Sequence, residues 1–123
     1  MSEDISRLPP QVQERLLRLQ QLQQTLQTVM AQKQQVEMEQ TEVEQSLTEL
    51  QKTAADAVIY KAIGSLLVKA EKAKVTEELA ERKELLTTRT TVLARQEERL
   101  RSQAKEVQTK LQEDLNPVSP PST

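Results

Sequence analysis

The stretch AVIYKAIGSLLVKA, residues 57 to 70, decides the fold. It holds the only glycine of the chain, Gly64, the only aromatic residue, Tyr60, and the densest apolar run. Val58, Ile59, Tyr60 and Ile63 stand before Gly64-Ser65, and Leu66, Leu67 and Val68 after it. These are strand-forming or aliphatic residues, and Gly followed by Ser suits a two-residue type II′ hairpin turn. That turn pairs Ile63 with Leu66, Lys61 with Val68 and Ile59 with Ala70 on one face. The other face then carries Val58, Tyr60, Ala62 and Leu67 beside Lys69 and Glu71. The simpler alternatives are a plain helix–helix turn or a helix running straight through. A helix connection, however, needs a few polar residues rather than seven large apolar ones.

Working outward, residues 1–9 read as a flexible lead, and Pro10 fits the first turn of a helix, where its missing N–H is harmless. From there to about Ala55 the chain has neither Gly nor Pro. Leu22, Val29, Val36, Val43 and Leu50 recur every seven residues. With these at d, the a positions are Val12, Leu19, Leu26, Lys33, Gln40, Leu47 and Ala54, a heptad seam. Beyond the central stretch, Thr76 followed by Glu77 and Glu78 reads as an N-cap with an acidic first turn. Leu79, Leu86, Leu93, Leu100 and Val107 then recur every seven residues. Glu78–Arg82, Glu97–Arg101 and Glu106–Lys110 are spaced for i,i+4 ion pairs. The ending NPVSPPST cannot continue a helix, and residues 116–123 are expected to be disordered.

The two seams lie at similar distances from the central stretch, so folding back antiparallel matches them layer for layer and is expected to bring Lys33 near Glu97 and Gln40 near Thr90. The expected organisation is a helix over 10–55, a β-hairpin over 57–71 and a helix over 76–115. The fold class is all-α dominated, α with a small β-hairpin: a long antiparallel two-helix coiled coil.

A two-stranded hairpin is marginal alone, and its open edges invite further strands. Seven apolar side chains at ~1.5–3 kcal/mol each set an upper limit of roughly 10–20 kcal/mol of burial unused in a single chain. The helices cannot cover them, because their seams face one another. Val58, Ile59, Tyr60, Ile63, Gly64, Leu66, Leu67 and Val68 are therefore expected to be the subunit-assembly element. Several chains would contribute hairpins to a shared sheet or a closed, oligomeric β-barrel platform. Lys61, Lys69, Lys72 and Lys74 are expected on its wet side, where they would discourage unlimited strand addition.

Antiparallel folding also brings the chain ends together. Leu16 and Leu17 fall at e and f, outside the seam that uses Val12 and Leu19, and Val107, Leu111 and Leu115 lie near the end of the second helix. Surplus apolar residues there are candidates for a weak, adaptable contact surface. The bland alternative is that Leu16 only widens the seam.

Composition removes most other functions. The 123 residues include no His, Cys, Trp or Phe, and the mean hydropathy is -0.65. Such a chain has too few large apolar side chains for a globular core. Without His or Cys, and with many Glu on helix exteriors beside Lys and Arg partners, no catalytic pair, metal site or phosphate loop stands out. An enzyme is not expected, nor any catalytic, cofactor-binding or metal-binding residue. The net charge of -2 gives no case for nucleic-acid or anionic-membrane binding. Arg95, Arg99, Arg101 and Lys105 are broken up by Glu97, Glu98 and Glu106, with no aromatic residue for stacking. The central apolar run is far shorter than the ~20 residues of a membrane span. Absence of Cys suits a reducing cytosol, and no signal peptide is expected.

The sequence resembles the prefoldin family, specifically its β-type subunits. The resemblance covers about residues 10 to 115 and rests on QKQQVEMEQTEVEQSLTELQKTAADAVIYKAIGSLLVKA, then VTEELAERKELL and RQEERLRSQ. Val58-Ile59-Tyr60-Lys61 and Leu66-Leu67-Val68-Lys69 match the family's hairpin strands, with Gly64 in the turn. One central hairpin suggests the β type, since α-type subunits carry two, and the pattern after Thr76 looks archaeal. The resemblance implies a cytoplasmic hexamer of two α-type and four β-type subunits, whose hairpins build a double β-barrel from which coiled coils hang. It further implies an ATP-independent holdase that binds unfolded proteins at the coil tips and delivers them to a group II chaperonin, with no cofactor. The tip residues would be Val12, Leu16, Leu17, Leu19, Val107, Leu111 and Leu115. The Pro-rich ending has no clear counterpart in the family. A structural or tethering coiled coil without client binding is the alternative.

Overall fold

A computed structural model describes residues 7–116. The elements are α1 (Pro10–Gln51), β1 (Ile59–Ile63), β2 (Leu66–Ala70) and α2 (Lys72–Leu115). The expected lead over 1–9 and tail over 116–123 fall mostly on residues outside that range. Two compact units divide the chain, a hairpin unit, Gln32–Val92, and a terminal unit, Met1–Ala31 with Leu93–Thr123.

Helix α1 starts as its sequence dictates. The Pro9 carbonyl accepts from the Val12 and Gln13 amides at 3.0 and 3.1 Å, which leaves Pro10 in the first turn without an N–H to satisfy. The helix ends at Gln51, four residues earlier than the absence of Gly and Pro suggested. Its last turn tightens instead: the Lys52 and Thr53 amides donate to Glu49 and Leu50 carbonyls three residues back, each at 3.1 Å. The Thr53 hydroxyl also donates to the Leu50 carbonyl at 2.7 Å. A side-chain donor that takes up an orphan carbonyl can end a helix without a glycine.

Helix α2 begins at Lys72, not after Thr76. The Val75 amide donates to the Glu71 carbonyl at 3.0 Å, and the Thr76 hydroxyl reaches back to the Lys72 carbonyl at 2.8 Å, as a residue inside a helix does. Lys72, Ala73 and Lys74 are good helix formers and extend the helix by a turn. That turn has no acidic residue. Two lysines at the positive end of a helix dipole are unfavourable, but Lys72 carries its ammonium away to the Thr53 carbonyl, 2.7 Å distant.

In the hairpin unit the helices run antiparallel and close on Val36, Leu50 and Leu86, the last fully buried. Gln40, at a, answers a pair of threonines rather than an apolar partner. Its Nε2 donates to the Thr87 hydroxyl at 3.2 Å, and its Oε1 lies 3.3 Å from the Thr90 hydroxyl, as the antiparallel register requires. In the terminal unit Val12, Leu22, Val29, Leu93 and Leu111 are buried. Of the three expected i,i+4 pairs, Glu97–Arg101 forms at 3.1 Å and Glu106–Lys110 at 3.6 Å. Glu78 and Arg82 instead find partners on other elements, Lys61 and Glu39. Among the described residues no helix is long and apolar enough to cross a membrane.

Candidate functional site: the hairpin and the terminal seam

Strands β1 and β2 pair antiparallel in the register Ile59–Ala70, Tyr60–Lys69, Lys61–Val68, Ala62–Leu67 and Ile63–Leu66. The turn fixes it. Gly64 has φ +58, and no other described residue has positive φ, so Ser65 is on the ordinary side. A type I′ turn needs positive φ at both central residues, and the observed signs are those of type II′. Nothing lies within 4 Å of where a Cβ on Gly64 would sit. The backbone angle, not space, is what asks for glycine there.

Within one chain almost nothing covers this ribbon. Leu67 is 73% exposed, Leu66 65% and Tyr60 61%, and Val58, Ile63 and Val68 are also exposed. Only Ile59 and Ala70, nearest the helices, are half-buried. Among the described residues the two strands form a sheet by themselves, so both its outer edges are unpaired there. Contiguous apolar surface bordered by unpaired backbone is the physical description of a strand-pairing surface.

The four lysines do not share a side. Lys61 stands opposite Val68 and Lys69 opposite Tyr60, which the two-residue alternation puts on opposite faces. Lys61 turns to α2 and places its Nζ 2.6 Å from Glu78 Oε2. The hydrogen bond and charge of Lys61, aided by Lys74, hold the Glu78 carboxyl below its ordinary value of 4.5. Sequence spacing hid this pair, because Arg82, four residues on, was the nearer candidate by helical geometry.

In the terminal unit the expected contact residues separate into two groups. Val12 and Leu111 are buried in the seam, and Leu16, Leu19 and Val107 are half-buried along it. Leu17 and Leu115 are 59% and 57% exposed. An ion pair between Arg15 and Asp114 joins the start of α1 to the end of α2 beside them. The Arg101 guanidinium also approaches the Met30 sulfur at 3.4 Å. Neither cross-helix contact was legible from heptad positions, since each uses side chains that skirt the seam.

A family model for prefoldin subunits matches residues 13–117. The prefoldin subunit beta of Archaeoglobus fulgidus is 49% identical over 110 residues, spanning 89% of this chain and 95% of that one. That of Methanothrix thermoacetophila is 43% identical over 113 residues, spanning 92% and 94%. Among solved structures, the prefoldin beta subunit from Thermococcus strain KS-1 superposes with a TM-score of 0.82 at 43% identity, over 94% of this chain and 98% of that chain. The beta2 subunit from the same strain, at 21% identity and a TM-score of 0.67 over 74% of this chain and 97% of that chain, shares the fold.

Proposed function

The chain belongs to the prefoldin subunit family as a chaperone subunit of the β type, and on that premise we propose that it holds unfolded proteins beside the start of α1 and the end of α2 and passes them, without ATP, to a group II chaperonin. The platform for this is a cytoplasmic hexamer of two α-type and four β-type subunits, in which the ribbon of Ile59–Ile63 and Leu66–Ala70 joins neighbouring hairpins. The observation that carries the client-binding reading is the exposure of Leu17 and Leu115 beside a seam already filled by Val12 and Leu111. Each exposed Leu contributes at most about 1–3 kcal/mol to a contact, so a single tip binds weakly. Several tips on one platform raise the effective concentration and hold by avidity. Such contacts need apolar area, not a shaped pocket, and so tolerate many clients.

Burial of Val12 and Leu111 gives some weight to a second reading, a tether whose seam is satisfied within the chain. An aggregation assay separates the two. The complex with an α-type partner, near equimolar to an unfolded client, keeps that client soluble if it is a holdase and leaves light scattering unchanged if it is a tether.

A further inference from the structure

The hairpin is attached to its helices unequally. A single residue, Glu71, joins β2 to α2, whereas residues 52–58 separate α1 from β1. The β1 side therefore has the longer connection, and two lysines bridge from it to α2. Lys61, in β1, reaches Glu78 in the second turn of α2 at 2.6 Å. Lys72, at the start of α2, donates to the Thr53 carbonyl in the looser connection at 2.7 Å. Both links end on α2, so strand, connection and helix are tied at three points: the Glu71 joint and the two lysines.

We propose that Lys61 and Glu78, backed by Lys72 on the Thr53 carbonyl, are positioning residues that set the angle of the hairpin in the free subunit and so present its strand edges ready for assembly. This rests on the reading of the hairpin as the assembly element. Fixing an interface segment before association lowers the ordering cost of binding. The links are partly exposed, Lys61 and Glu78 each at 45%, so one of them changes the occupancy of the aligned state by up to about fivefold. Several hairpins close on one another, and the factor multiplies over them. The apolar residues supply the affinity, and the ion pair supplies the angle.

The test uses the full chain, which has no cysteine of its own, with spin labels on Ser65→Cys and Glu81→Cys. Pulsed dipolar spectroscopy of the free subunit is expected to give a narrow distance distribution in the parent, a broad one in Lys61→Glu and in Glu78→Lys, and a narrow one again in the swap Lys61→Glu/Glu78→Lys. In titrations with an α-type subunit followed by native mass spectrometry, each single reversal raises the assembly midpoint several-fold and the swap restores it. Circular dichroism confirms that the helices of each variant are intact. Equal distributions in parent and single reversals, or a swap that behaves like its components, overturn the proposal. The assembly reading is tested separately by Ile63→Asp/Val68→Asp: assembly of that variant would sink the reading while leaving the distance result to stand on its own.

Discussion

Gln40 and Thr90 meet across the two helices of the hairpin unit, with the threonine hydroxyl 3.3 Å from the glutamine Oε1. The same hydroxyl lies 2.9 Å from the Leu86 carbonyl in its own helix. One proton serves two acceptors, so Gln40 competes with the backbone for it. Losing the glutamine leaves Thr90 its local acceptor, and Gln40→Ala is expected to cost less than about 1 kcal/mol. Replacing the layer by Leu at 40 and Val at 90 removes both polar groups from a half-buried site. Such exchanges stabilise or are neutral, and a thermal melt is expected to rise by a few degrees, at about 2–8 °C per kcal/mol. A fall in melting temperature would show that the polar layer stabilises more than it specifies.

The hairpin variant Ile63→Asp/Val68→Asp places two carboxylates where assembly would bury them without partners. Sedimentation is expected to show only small species with α-type subunit present, while far-ultraviolet circular dichroism keeps its helical amplitude. Full-sized complexes would place the assembly contacts elsewhere.

Glu78 gives the chain a pH-dependent element. Lys61 from β1, then Lys74 from α2, hold its carboxyl below the ordinary 4.5. Its stabilisation is therefore fully present above that ordinary value and is lost as pH falls through the lower, folded value. Carbon-13 titration of the labelled carboxyl is expected to find the depressed midpoint at low salt. Lys61→Met returns it toward normal, and high salt weakens the shift. A midpoint unmoved by Lys61→Met would assign the depression to another cause.

On the proposed reading, stability and client binding in the terminal unit rest on different residues. Leu111 is buried, and Leu111→Ala is expected to cost about 2–4 kcal/mol, read as a lower denaturation midpoint. Leu17→Ser and Leu115→Ser change exposed positions and are expected to leave stability within about 0.5 kcal/mol. Together they are nonetheless expected to cut protection of an aggregating client. Undiminished protection in that double variant would move client binding away from the chain ends.

Much of this was legible from the chain alone, for reasons particular residues make plain. Gly64-Ser65 between two β-rich runs specifies both the ribbon and its register, because a two-residue turn allows no slip. The heptads specify the buried residues other than Leu111, Val36, Leu50, Leu86 and Leu93 among them. The start of α2 was not legible: two lysines in a first turn oppose the dipole, and only Thr53, distant in sequence, explains why Lys72 is tolerated there. The ion pairs of Glu78, Arg82, Arg15 and Asp114 escaped for a related reason. Local spacing offers each charged residue a neighbour, whereas the folded chain offers several a different one.

The single residue between β2 and α2 has a consequence for how such chains can vary in length. An α-helix turns about 100° per residue, so one residue added at Glu71 would rotate the seam of α2 by that angle against the ribbon. Leu79 and Leu86 would swing away from α1, and the whole second helix would be out of phase. The same insertion among residues 52–58 meets no such gearing, because that longer connection has slack to take up an extra residue whereas the single-residue joint has none. Length changes are therefore expected to be absorbed before β1 and refused after β2, which makes Glu71 the point from which the phase of the coiled coil is counted.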